Sequence, residues 1–281
     1  DVLERALFNG ILSGVNLEGN RFFYTNYLEV DDNTVLYNAG CKVREEWFGC
    51  SCCPTNYCRF LPQTGSFVWS VGEAEYRLEI PVAHDADFGA AAFAVESNYP
   101  YDGKIAVTVR KDGRFRLALR IPGWCKETKF PAGGKIVEGY WIAERDWKAG
   151  DRIEYTLAMP IEIVRSNFKI TCNAGRVALQ RGPLVYCCES FDNGAGIANL
   201  VLRLDRPMEL VPAPGLPAGT VAIRGEAWKE IAPDAKALYY TGMPRREAAS
   251  FTAIPYALWQ NRDADPKHIA MAVWMRSENG R

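Results

Sequence analysis

The chain has 281 residues, of which 48% are hydrophobic and 24% charged, a balance that supports a packed core and excludes a largely disordered polypeptide. Lys and Arg total 33 against 34 Asp and Glu, so the formal net charge is -1 and nothing points to a nucleic-acid or polyanion partner. No apolar run reaches the roughly 18 residues of a membrane helix, and the length suggests about two domains.

Residues 1–12 read as an amphipathic helix, with Leu3, Leu7 and Ile11 recurring at helical spacing. The opening DVLERALFNG carries no initiator Met and reads as a helix entered midway, so a piece of a longer protein is expected. Gly14, Gly19 and Asn20 then turn the chain. Aromatic and polar residues alternate over 22–30, which predicts a strand, with Asp31, Asp32 and Asn33 as the turn into a second strand at 34–37.

Next comes WFGCSCCPTNYCRF, where Cys50, Cys52, Cys53 and Cys58 fall within nine residues. Residues 54–61 read as a helix turn starting at Pro54, a favourable first helical position. Four thiols so close suggest a metal site or a catalytic one. Cys50 and Cys53 have the gap of a zinc knuckle, but the second pair of ligands is missing. No thioredoxin-like pattern supports a redox reading, and buried thiols acting as small hydrophobes are the plain alternative. For Cys41, Cys125 and Cys172 that alternative is preferred.

Adjacent Cys52 and Cys53 ahead of a proline can bind one soft ion, provided that a turn brings them together, because neighbouring side chains of a strand point to opposite faces. By the same rule Cys187 and Cys188 are expected as an inert strand pair, one inward and one outward. Only His84 and His268 are present, so a metal site made within this chain relies on thiolates and carboxylates. The odd count of nine Cys and their spacing do not resemble a secreted disulfide framework, which favours reduced thiols in the cytoplasm.

Beyond residue 65 the runs FVWSV, EYRLEIPV, AAAFAVESNYP, KIAVTVRK, RFRLALRIPGW, YWIAERDW and DRIEYTLAMPIEIV are short, rich in β-branched and aromatic residues, and punctuated by turn formers. They predict a first antiparallel β-sandwich over 65–172. Within it, a turn at 149–151 feeds a strand whose Ile153, Tyr155 and Leu157 share a face. A second β domain is expected over 173–281, with Pro207, Pro212, Pro214 and Pro217 in loop or edge positions and KALYYTG, ASFTAIPYALW and HIAMAVWMR as closing strands.

WFGCSCCPTN, with RALFNGILSGVNLEGNRFFYTNYLE upstream and GYWIAERDWKAGD, RVALQRGPLVYC and IPYALWQNR downstream, resembles the C-terminal part of glycoside hydrolase family 127, typified by bacterial β-L-arabinofuranosidases. The resemblance runs in order through nearly the whole chain. It implies a mainly β chain: residues 1–64 as the C-terminal remnant of an (α/α)6 catalytic barrel, followed by two β-sandwich domains. It also implies a retaining glycosidase with Zn2+ as cofactor, Cys52 as nucleophile and zinc ligand, and Cys53 as a second ligand. The remaining ligands, in a Glu-Xaa-Cys arrangement absent from this chain, and the acid/base Glu are expected upstream.

Expected partners are a carbohydrate substrate and the upstream remainder of the barrel, with self-association left open and neither nucleic acid nor membrane involved. Tyr24 offers an apolar face and a hydroxyl and is a candidate for the sugar pocket, or else packs in a sheet. Glu45 and Glu46 read as a solvated face, and tryptophans 69, 124, 141, 147, 228, 259 and 274 as core. The alternative function is a non-catalytic β-sandwich module with a structural or glycan-binding role.

Overall fold

The computed structural model describes residues 1–31, 34, 42–50, 52–194, 196–234, 236–262 and 269–278. Residues 35–37 of the expected second strand, with Cys41 and His268, lie outside them. The chain is mainly β, with little helix, and divides into one compact unit of residues 1–5 and 52–160 and another of residues 6–51 and 161–281. Among the described residues no helix is long and apolar enough to cross a membrane.

In the first unit the described strands form two five-stranded sheets. One runs in the order Trp69–Val71, Glu75–Leu78, Gly113–Arg120, Tyr140–Trp147 and Lys135–Val137; the other runs His84–Asp87, Ala92–Ser97, Lys104–Val109, Arg152–Leu157 and Thr128–Lys129. Each of the runs predicted for the first sandwich contributes a strand, because short β-branched and aromatic stretches fit a half-buried pleated surface. Asp151 donates its N–H to the Lys148 carbonyl at 2.9 Å across the expected turn. Gly150 there has a φ of 95°, which only glycine adopts without strain. Beyond it Ile153, Tyr155 and Leu157 are all buried, as their alternation requires.

Aromatic rings fill the space between these sheets. Phe93 of one sheet lies 4.8 Å from Trp69 and 5.6 Å from Phe115 of the other, centroid to centroid. Trp147 stacks on Phe115 and donates its indole N–H to the Phe115 carbonyl at 3.0 Å, so a fully buried ring leaves no polar atom unsatisfied. Trp147→Ala is expected to cost about 3–5 kcal/mol in chemical denaturation, the range for emptying a buried aromatic site; a loss below about 1 kcal/mol would show that the core tolerates the cavity.

The second unit carries a ten-stranded sheet. Arg176–Arg181 pairs with both Leu184–Glu189 and Met275–Ser277, which closes six of its strands into a ring through Arg245–Pro255, Val221–Ile231 and Leu200–Leu202. A ring of this kind removes the exposed edges that two open sheets would leave. Ile161–Val164 pairs with Arg176–Arg181, so the change of unit falls between Pro160 and Ile161, upstream of the 172/173 boundary read from the sequence. Glu209–Pro212 pairs only with Val221–Ile231, an edge position that suits Pro212.

KALYYTG is not a strand. Ile231 pairs with Arg245, which makes residues 232–244 the connection of a long hairpin, with Tyr239 93% exposed. The expected strand over 22–30 is also reduced. Phe22 makes isolated bridges to Val15 and Glu45, and only Glu29–Val30 joins the sheet, against Met271–Ala272. The N-terminal segment is helical as expected but irregular: an α-turn at Val2–Arg5, a π-helix at Ala6–Ile11 and a 3-10 turn at Leu12–Gly14. Its Asn9 side chain accepts from the Val185 N–H at 2.8 Å and donates to the Pro183 carbonyl at 2.9 Å, which ties this segment to the hairpin between two sheet strands.

Candidate active site

The helix Cys52–Phe60 opens on the two adjacent cysteines, beginning at Cys52 rather than at Pro54. Pro54 is tolerated there because the first-turn N–H groups have no partner within the helix. The helical start supplies the turn that the sequence reading required. The Cys52 and Cys53 Sγ atoms lie 3.6 Å apart, whereas a strand would send them to opposite faces. Both sit at the positive end of the helix dipole, which favours negative charge on sulfur.

Two thiolates on one tetrahedral zinc, each at about 2.3 Å, are separated by about 3.8 Å. The observed spacing fits that edge closely, so the pair suits a shared soft cation. Among the described residues no group of three or more His, Cys, Asp and Glu side chains is placed to hold a metal. Cys50 and Cys58 are exposed, with Cys58 about one and a half turns further along the helix.

Cys172 is exposed, so it is not the buried packing thiol expected from the sequence, whereas Cys125, Cys187 and Cys188 are shielded. Cys187 and Cys188 are both buried, not one inward and one outward, because their strand is paired on both sides and the segments Ala6–Ile11 and Tyr256–Leu258 pack on it. Burial pushes the Cys187 thiol well above its ordinary value and Cys188 up to about 12, which leaves both inert as nucleophiles. Cys125 is raised by burial as well.

In the second unit, the segment leading to the cluster is fixed by Arg44, a buried cation. Its guanidinium donates to the Ser13 and Trp259 carbonyls, each at 2.9 Å, and to the Gln260 carbonyl at 3.1 Å, and lies 4.4 Å from the Phe23 ring centroid. Phe23 in turn stacks on Trp259 at 4.9 Å. Tyr24 is half-buried and meets the buried Phe48 edge-on at 5.4 Å. The Tyr256 hydroxyl reaches both the Asn26 side chain and the Tyr27 carbonyl at 2.7 Å, so the loop holding Tyr24 is braced from the sheet.

Glu45 and Glu46 are exposed, and Glu46 pairs with Arg21 at 2.9 Å, consistent with a solvated face. No local signal marks Arg44, since an arginine beside two glutamates reads as part of that face. None of tryptophans 69, 124, 141, 147, 228, 259 and 274 is exposed; Trp47 is, at 65%.

Residues 1–66 match the family description "Beta-L-arabinofuranosidase, GH127 catalytic domain", residues 79–159 the GH127 middle domain, and residues 161–276 the C-terminal domain of glycoside hydrolase family 127. The chain belongs to glycoside hydrolase family 127. It is 32% identical over 290 aligned positions to a non-reducing end β-L-arabinofuranosidase of Bifidobacterium longum subsp. longum, covering 94% of this chain and 44% of the relative. The fold is similar to that of a GH127 β-L-arabinofuranosidase from Geobacillus stearothermophilus T6, with a TM-score of 0.86 and 35% identity over 99% of this chain and 46% of the other. A GH127 β-arabinofuranosidase of solved structure matches with a TM-score of 0.85 and 29% identity, over 99% of this chain and 45% of that one. The chain thus spans less than half the length of these relatives. The family's middle and C-terminal divisions meet at the same place as the change of unit, between 159 and 161.

Proposed function

We propose that this chain contributes the nucleophile to a zinc-dependent, retaining glycosidase that acts on β-L-arabinofuranosides or related glycans. The observation that carries the reading is the pair of Sγ atoms 3.6 Å apart at the start of a helix, within a chain of a glycosidase family. In this reading the helical pieces of residues 1–64 are the end of an (α/α)6 barrel, and the strands that follow form two β-sandwich domains that support it. The second of these has its two faces joined at their edges.

Cys52 and Cys53 would hold the zinc, with the other ligands and the acid/base Glu supplied from the rest of the barrel. Bound there, zinc would keep both thiols deprotonated at neutral pH. Cys52 Sγ attacks the anomeric carbon as the glycosidic C–O bond breaks, and the general acid protonates the departing oxygen. Water, activated by the same group acting as base, then displaces the cysteine sulfur from the opposite face. Two inversions restore the starting configuration. The helix N–H groups stabilise sulfur as it leaves as thiolate, which helps the second step. Tyr24, beside Phe48, presents an apolar face and a hydroxyl suited to a sugar ring. A reducing compartment such as the cytoplasm would keep the free thiols of this chain reduced.

Proton NMR of the first product released from a β-L-arabinofuranoside tests the reading. Retention is expected. Release of the inverted anomer would remove the covalent role of Cys52, because a single displacement needs no nucleophilic side chain.

A further inference from the structure

In the second unit one buried cation ties together stretches of chain that are far apart in sequence. Arg44 is 3% exposed; its guanidinium donates to the Ser13 and Trp259 carbonyls, each at 2.9 Å, and to the Gln260 carbonyl at 3.1 Å, and it lies 4.4 Å from the Phe23 ring centroid. Tyr24, the candidate sugar contact, is reached from Arg44 on two sides. Phe23 precedes it in the chain, and Phe48, whose ring it meets edge-on at 5.4 Å, follows Arg44 on its own segment. Main-chain hydrogen bonds between Phe22 and Glu45, at 2.8 and 2.9 Å, join the two segments directly. All of these groups belong to the same compact unit.

Gln260 secures the cation. Its φ of 57° is in the left-handed region, which strains a residue carrying a Cβ. The strain is held from both sides: the Gln260 N–H donates to the Glu189 carboxylate at 2.9 Å, while the Gln260 carbonyl accepts from the guanidinium and its side-chain oxygen accepts from the Arg44 main-chain N–H at 3.3 Å. Glu189 is itself buried and gripped by Arg262. Strained backbone kept in place by its surroundings points to a function at that position.

We propose that Arg44, secured by Gln260, is a positioning residue for substrate binding: it fixes Phe23 and Phe48 around Tyr24 and so presents the tyrosine to an arabinofuranosyl ring. The inference rests on the glycosidase reading above. A side chain held in place before the sugar arrives loses little freedom on binding, so the benefit falls on affinity. Residues of the C-terminal domain then act on the substrate without touching it.

The test uses the full-length enzyme and 4-nitrophenyl β-L-arabinofuranoside. Arg44→Lys keeps the charge but loses the fork that meets three carbonyls, and KM is expected to rise about tenfold with kcat little changed. Gln260→Ala leaves every main-chain group in place and serves if Arg44→Lys does not fold; its KM is expected to rise about fivefold, the value of one hydrogen bond. Tyr24→Ala completes a double-mutant cycle. In that background the same changes are expected to alter KM by no more than about twofold, since the tyrosine that they position is gone. An equal rise with and without Tyr24, no rise in either variant, or an unchanged KM in Tyr24→Ala alone overturns the proposal; a lowered melting temperature with unchanged KM would assign Arg44 to packing. Calorimetric titration of the thioglycoside methyl 1-thio-β-L-arabinofuranoside through the same cycle separates this inference from the glycosidase reading. Coupled Kd values in an enzyme that does not hydrolyse the glycoside would retain the positioning role and discard the glycosidase. Independent Kd values with hydrolysis intact would do the reverse.

Discussion

Cys52→Ser in the full-length enzyme is expected to reduce kcat by at least about a thousandfold, the scale of losing a nucleophile that acts with a proton donor as one unit. Serine is nearly isosteric, but its hydroxyl ionises far less readily than a thiol, and it is a poorer soft-metal ligand. The helix start that favours a thiolate at Cys52 does not make an alkoxide accessible. Substrate should still bind, so the loss is expected in kcat and not in KM. Cys58→Ser on the same helix is the control: its thiol is exposed and is not the neighbour of Cys53, so activity should stay within about threefold of wild type. Near-normal turnover by Cys52→Ser would end the nucleophile assignment, and a comparable collapse in Cys58→Ser would move it.

The second large effect concerns stability. Arg262 donates to Glu189 and Asp192 together, lies 4.4 Å from the Phe191 ring centroid, and has a side chain only 3% exposed. Burial pushes the Glu189 carboxyl up, while the Gln260 N–H at 2.9 Å and the Arg262 guanidinium pull it back. Arg262→Met keeps the volume but strands two carboxylates without their cation. A loss of about 3–5 kcal/mol is expected in chemical denaturation, as for other broken buried ion pairs. Arg245→Met, which breaks an exposed pair with Glu247 at 2.7 Å, should cost no more than about 0.5 kcal/mol. Equal costs for the two would mean that burial does not amplify the Arg262 interaction. Glu189→Gln with Arg262→Met should recover part of the loss, because removing the carboxylate charge lowers the desolvation cost left behind.

Much of the β structure was legible because strand formation here follows local alternation. Ile153, Tyr155 and Leu157 were assigned to one face from spacing and are buried together. The run KALYYTG failed by the same logic: it has strand-forming residues, but the long hairpin pairs Ile231 with Arg245 and leaves it as the connection. Propensity describes what a segment tolerates, and pairing is decided by a distant partner. Cys187 and Cys188 show this limit from the other side. Alternation said that one faces outward, yet a strand paired on both edges and covered by neighbouring segments buries both.

The cysteine cluster was visible as a cluster, and the family resemblance selected Cys52 and Cys53 from it. Sequence alone determined the strand-rich character, the turn at 149–151 and the concentration of thiols, since each depends on residues close together in the chain. Tertiary structure decided which of those thiols share a 3.6 Å approach, that Arg44 is an interior anchor rather than a surface charge, and that six strands of the second unit close into a ring. The physical reason is common to all three. Burial, charge pairing and strand closure depend on groups that the chain brings together from far apart, such as Arg44 and Trp259, and no local pattern encodes the partner.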